Sequence, residues 1–223
     1  MRDMLPRLLI ATAVPAERDA VRAGLGEGTV YPDPLSPDAT DLDLVVVGVG
    51  PAAAAAATAR RIVLAESEGA PYSAVLSVGV AGGFPGRIEI GDVVLGTAAV
   101  AADLGVDSPD GFLSVDTLGF GTATLPADPN LVHLPKFRTG KVLTVTTGTG
   151  TAERAAELAA RHPDALAEAM EGYGVASAAH QAGLPYSEIR AISNMIGPRD
   201  TSAWRMDLAL GALTEVFAIR ESV

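Results

Sequence analysis

Cysteine is absent from the 223 residues. That excludes disulfides, thiolate metal ligands and thiol nucleophiles together. Histidine is scarce: His133, His162 and His180 show no metal-ligand spacing. His162, just ahead of Pro163, reads as a residue serving a helix terminus. Positive charge is also short, with 16 Lys and Arg against 27 Asp and Glu and a formal net charge of -11. That sign argues against nucleic acid or an anionic membrane as partner, since both bind through phosphate neutralisation. No apolar run approaches a membrane span. Leu8 to Val14, behind Arg2, is only about as long as the shortest signal-peptide cores. Asp3 precedes it closely and Glu17-Arg18 continues into a helix pattern, so it is read as the first core strand. A cytoplasmic protein is expected.

What is present is a large apolar fraction, 48% of residues, enough to build a core. Length suits one α/β domain or two small ones, and no composition break or repeat divides the chain, so one domain over residues 1–223 is expected. Pro15 predicts a helix from there to about Gly24, with Glu17 in its first turn beside the carboxyl end of the first strand. Glu17 suits either a dipole-complementing carboxylate or a catalytic one. Gly26 to Asp41 reads as a loop or edge region. Leu44 to Val49 is a strand covered on both faces, followed by a helix from Pro51 to Glu68. Gly48-Val49-Gly50 resembles a dinucleotide-binding turn only weakly, because Ala53 stands where the third glycine is needed.

Ala74 to Val78 is a further strand, running into Gly79-Val80-Ala81-Gly82-Gly83. This stretch is expected as a loop in which Gly79 and Val80 offer backbone N–H groups to a ligand; a tight turn packed on a neighbour is the plainer alternative. A strand lies within Ile90 to Ala99, and Ala102 to Gly121 reads as a long excursion around short strands. Val142 to Val145 is a strand leading to the polar loop Thr146 to Thr151, where Thr149 is a candidate substrate contact and Thr151 an N-cap. Ala165 onward delivers Met170-Glu171 ahead of a small-residue helix from Tyr173 to Ala182. Tyr186 to Ile192 delivers Ser193-Asn194. Polar residues past the carboxyl ends of strands are where a site belongs in an open α/β sheet. Glu171 as a helix cap, and Ser193-Asn194 as turn residues, remain open. A last helix is expected from about Asp207 to Arg220.

Six motifs in register carry a resemblance: Ala13-Val14-Pro15-Ala16-Glu17, Val49-Gly50-Pro51, Val78 to Gly83, Gly91-Asp92-Val93-Val94, Met170-Glu171-Gly172 and Arg190-Ala191-Ile192-Ser193-Asn194. Together they resemble the purine nucleoside phosphorylase/nucleosidase superfamily, close to its methylthioadenosine/adenosylhomocysteine nucleosidases. Ser193 to Asp200 and Ala102-Asp103-Leu104-Gly105 look more like the futalosine hydrolases, which cleave hypoxanthine from a 5′-modified inosine in a menaquinone pathway. The resemblance implies a three-layer αβα sandwich around a mixed, mostly parallel sheet, assembled as a homodimer or larger. It also implies cleavage of a nucleoside's N-glycosidic bond without metal or organic cofactor.

The residues suit that chemistry. Departure of the base leaves an oxocarbenium-like sugar and an electron-rich purine, and groups matched to that developing charge accelerate the step. Asn194 stands where the adenine nucleosidases carry aspartic acid. Its amide can donate to a purine O6 and accept from a protonated N7, which favours hypoxanthine over adenine. Glu171 can accept from the 2′- and 3′-hydroxyls, with Met170 packed on the sugar. Glu17 suits the base that activates water, with Arg190 and Ser193 orienting it; Arg190 as a buried ion-pair partner of Glu17 is equally compatible. Ser77 and Val80 replace the arginine and hydroxyl residue of the phosphorylases, which points to water as nucleophile. Gly148 replaces a base-stacking aromatic. Futalosine's 5′ substituent bears a carboxylate, for which Arg199 and Arg205 are candidates, each with a surface-charge alternative. Three rival readings are an adenine-specific nucleosidase, a phosphorolytic enzyme and a nucleoside-binding protein without activity.

Overall fold

The computed structural model describes residues 7–26, 41–132 and 137–218; most of the stretch Gly26 to Asp41, expected as a loop, and His133 lie outside them. The strands are β1 (Arg7–Thr12), β2 (Asp41–Val46), β3 (Ala74–Gly83), β4 (Val93–Ala101), β5 (Gly105–Ser108), β6 (Gly111–Ser114), β7 (Thr124–Pro126), β8 (Arg138–Thr144), β9 (Ala165–Ala169) and β10 (Tyr186–Met195). The helices are α1 (Pro15–Leu25), α2 (Pro51–Ser67), the short α3 (Val115–Leu118), α4 (Ala152–Arg161), α5 (Gly172–Gln181) and α6 (Met206–Ala218). Proline opens α1 and α2, where a missing N–H is harmless. Thr151 caps α4, its Oγ1 accepting the Arg154 N–H at 3.2 Å.

Alternation along β1 sorts its side chains between two layers. Leu8 and Ile10 join Leu76 and Val78 against Val21 of α1 and Leu213 of α6, while Leu9 and Ala11 join Val75 against Ile62 of α2 and Val175 of α5. Helices thus cover both faces of a mixed sheet. Near one end α4 adds a third patch, with Leu158 packed among Phe84, Leu143 and Val145.

The sheet also closes on itself. Beyond β2, β1 and β3, strand β3 pairs in parallel with β10 and antiparallel with β9; β10 meets β4, β4 meets β8, and β8 meets β9. Five strands therefore form a ring. Ala81, Val94, Val142, Ala167, Ala169 and Ile192, drawn from all five, make one buried cluster with Ile88.

The glycine-rich stretch after Val78 is a correction. It is no loop: β3 continues through Gly83, hydrogen-bonded to both β10 and β9. Its glycines answer to crowding, not to a turn. A Cβ on Gly79 would lie 2.5 Å from Glu17 Oε1 and 2.7 Å from Arg190 Nη1. Short glycine-rich sequence looks like a turn, but here it lets charged side chains lie against strand backbone.

Candidate active site

Chain crossings at the ends of β1, β3, β9 and β10 leave a cleft of about 430 Å³. Glu17, Val80, Thr149, Met170, Glu171, Ser193, Asn194 and Arg199 line it, so eight of the residues expected from sequence converge. Gly79, Arg190 and Arg205 are not on its wall. A separate hollow of about 460 Å³, bordered by Pro126, Pro129, His180 and Pro185, gathers no comparable set of carboxylates.

Glu17 is 3% exposed, yet anionic geometry is provided for it. Its Oε2 accepts the N–H groups of Ala13 at 2.8 Å and Val14 at 3.2 Å, and Oε1 accepts that of Val80 at 2.8 Å. Three backbone donors hold a carboxylate in one pose without any flexible partner. The Val80 N–H, expected to face a ligand, is thus consumed by Glu17.

Arg190 lies behind the cleft, 1% exposed. Its Nε donates to Glu188 Oε1 at 2.9 Å, its Nη2 to Ser77 Oγ at 2.8 Å, and its Nη1 reaches Glu171 Oε2 at 3.5 Å. Burial works against the guanidinium's charge, but the carboxylates of Glu188, Glu171 and Glu17 outweigh it and raise its pKa above the ordinary value. The two ion pairs of Arg190 are therefore with Glu188 and Glu171; Glu17 acts on it only through space. That corrects the expected ion pair of Arg190 with Glu17. Register explains it: Arg190 sits across from Gly79, and the alternation of β10 puts Glu188 on the same side.

Glu171 occupies the N-cap position of α5, but its side chain makes no capping bond. Oε1 instead accepts the Gly50 N–H at 3.2 Å, and Oε2 accepts the Met170 N–H at 3.3 Å besides facing Arg190. The capping alternative falls away.

Ser193 and Asn194 are consecutive and yet both line the cleft. A break in register between Ile192 and Asn194 makes this possible, because a bulge suspends strict alternation. Ser193 Oγ lies 2.8 Å from Asn194 Oδ1 and 3.3 Å from the Ala81 carbonyl, and Asn194 Nδ2 donates to the Met195 carbonyl at 3.1 Å. One amide proton of Asn194 is left for a ligand. Arg199 stacks on Trp204, 5.6 Å from the ring centre, with Trp204 and Met206 also on the wall. Arg205 points out to Asp207 at 3.2 Å and is half exposed.

Two carboxylates, Glu188 and Glu168, were missed from sequence. Glu188 could have been found by its i−2 spacing from Arg190 on one strand. Glu168, 7% exposed on β9 and facing the cleft, interrupts an alanine-leucine run and had no motif to mark it. Its Oε1 accepts the Thr149 N–H at 2.7 Å and its Oε2 the Thr149 hydroxyl at 2.5 Å. Burial pushes the Glu168 carboxyl up, with the Thr149 bonds working in the opposite direction.

Comparison with known proteins agrees with this frame. The family model of the phosphorylase superfamily matches residues 39–218. A futalosine hydrolase from Streptomyces coelicolor is 51% identical over 218 residues, covering 93% of this chain and 92% of that relative. One from Acidothermus cellulolyticus is 43% identical over 228 residues, covering 96% and 90%. The solved native structure of futalosine hydrolase from Helicobacter pylori superposes with a TM-score of 0.71 at 18% identity, covering 96% and 95%, a likeness of fold. By its sequence matches this chain belongs to the phosphorylase superfamily and, within it, to the futalosine hydrolase family.

Proposed function

We propose that this chain hydrolyses the N-glycosidic bond of futalosine, a 5′-modified 6-oxopurine nucleoside, and releases hypoxanthine. The observation that carries the substrate reading is Asn194, an amide on the cleft wall beside Ser193, with one N–H unspent. That proton meets the purine O6, and Oδ1 accepts from N7 as it becomes protonated. An adenine in the same place sets its amino donor against the amide donor, an unpaired contact costing about 1–3 kcal/mol. The N7 proton arrives through water, because an amide is no acid.

Glu171 accepts from the ribose hydroxyls, and its contact with Arg190 at 3.5 Å holds it beside them. Met170 packs against the sugar. Glu17 removes the proton from the attacking water as the sugar gains cationic character, and its own charge favours that transition state. Water, and not phosphate, fits the nucleophile's place. Ser77 is buried with its Oγ engaged by Arg190, Val80 brings no side-chain donor, and Arg18 turns to Asp19 at 2.7 Å. A phosphate dianion needs charge-assisted contacts that these positions do not supply.

The same reading makes the protein a cytoplasmic homo-oligomer serving menaquinone synthesis. Among the described residues no helix is long and apolar enough to cross a membrane. Val49, on the cleft wall, is 57% exposed and Phe120 83% exposed, which suits a covered face.

Purified enzyme offered futalosine, inosine, methylthioadenosine and adenosylhomocysteine, with and without phosphate, tests the reading. Free hypoxanthine from futalosine without phosphate is the expected result; adenine release or strict phosphate dependence overturns substrate or nucleophile respectively. Arg199 is the one of the two candidate arginines on the wall. Arg199→Ala is expected to lower kcat/KM for futalosine about tenfold while sparing inosine, as for a lost hydrogen bond to a charged group. Arg205→Ala should stay within about twofold, in line with an exposed ion pair. Unchanged futalosine kinetics in Arg199→Ala would remove it from the 5′ site.

A further inference from the structure

Strand β3 passes between β10 and β9, and its Gly82 pairs with Asn194 on one side and Glu168 on the other. Residues in register across neighbouring strands share a face, and both side chains line the cleft. They stand two strand spacings apart, about 10 Å between backbones. Ile196, also on the cleft wall, lies over Gly82: a Cβ there would come 2.6 Å from Ile196 Cγ2 and 3.4 Å from Asn194 Nδ2. The glycine lets Ile196 pack down against β3, and the slot of the cleft across it has an amide at one end and a carboxylate at the other.

The chemistry of the Glu168 end is set by Thr149. Both donors of Thr149, its N–H and its hydroxyl, are spent on Glu168. What remains toward the cleft is lone-pair capacity, since a carboxylate has about four acceptor sites and Thr149 fills two. The far end of the slot therefore accepts and does not donate. A 6-oxopurine carries a hydrogen on N1, adjacent to O6; a 6-aminopurine carries an unprotonated N1, itself an acceptor.

We propose that Glu168 is a second specificity-determining residue, accepting the N1–H of the 6-oxopurine while Asn194 reads O6 and N7. The proposal deepens the futalosine reading and rests on it. It also gives the buried carboxylate a reason to be there: it presents acceptor capacity where a 6-oxopurine presents its N1–H. Reading one base at two separate atoms raises discrimination beyond what Asn194 alone supplies, since each mismatch leaves a desolvated polar group unpaired.

Calorimetric titration with hypoxanthine, 1-methylhypoxanthine and adenine, on the wild-type protein and on Glu168→Gln, tests it. Wild type is expected to bind hypoxanthine and to bind 1-methylhypoxanthine at least about tenfold more weakly, the loss typical of a hydrogen bond to a charged acceptor. Glu168→Gln should bind hypoxanthine about 10- to 100-fold more weakly and adenine no more weakly than wild type does, because the new amide can donate to N1. Wild type that prefers adenine to hypoxanthine overturns the functional reading itself. Wild type that prefers hypoxanthine, with Glu168→Gln showing the same affinities, overturns only the role of Glu168. Should the variant fail to fold, equal wild-type affinity for hypoxanthine and 1-methylhypoxanthine overturns the proposal without it.

Discussion

Glu17→Gln is expected to lower kcat for hypoxanthine release from futalosine by about 10²- to 10⁴-fold, the range for loss of a general base, with KM within a few-fold. The reasoning starts from the pose of the carboxylate. Its two oxygens are pinned by Ala13, Val14 and Val80, all backbone donors, so the group is in place before substrate arrives. Glutamine keeps the shape but loses the proton-accepting oxygen, and its NH2 must face at least one of those N–H groups. A donor against a donor in a buried spot adds about 1–3 kcal/mol of destabilisation, so thermal unfolding should accompany the kinetics. Single-turnover rates separate the two effects. A folded Glu17→Gln protein retaining kcat within about threefold of wild type would remove Glu17 from the chemistry.

Arg190→Met should produce the largest loss of stability, about 3–5 kcal/mol, because it leaves buried carboxylates without their cation. Glu188 is 0% exposed, and burial already pushes its carboxyl upward, with Arg190 the main opposing influence. Methionine replaces most of the volume but none of the charge. For a chain of this size the loss corresponds to a fall in Tm on the order of 10 °C. Pairing Arg190→Met with Glu188→Gln should recover part of it, since the second change removes one orphaned charge. Activity should not return with stability, because Glu171 would still lack the guanidinium that holds it toward the ribose. Thermal unfolding of both variants measures the first point and futalosine turnover the second. A fall in Tm under about 2 °C in Arg190→Met would show that the ion pairs carry no weight.

Much of this was legible along the chain for local reasons. Pro15 and Pro51 start helices because a first-turn proline lacks nothing a helix needs there. Leu8 to Thr12 reads as a strand because its apolar residues have to face two layers. Glu17, Glu171 and Asn194 could be named because each stands within a short motif, just past a strand for the first two and near the carboxyl end of β10 for Asn194, and all three meet in the cleft. The glycine stretch after Val78 misled for an equally physical reason. Glycine marks both turns and places where other groups press on a strand, and only neighbours distinguish them.

Sequence by itself therefore determined the order of strands and helices, their faces, and the chemical types gathered at the strand ends, because periodicity and punctuation are properties of nearby residues. Tertiary structure alone decided the closure of β3, β10, β4, β8 and β9 into a ring, the choice of Glu188 and Glu171 over Glu17 as partners of Arg190, and the row Asn194-Gly82-Glu168. Those are matters of register between strands more than 80 residues apart along the chain in the case of β3 with β9 and β10. A shift of one residue in such a pairing moves every side chain to the other face, and no local pattern specifies it.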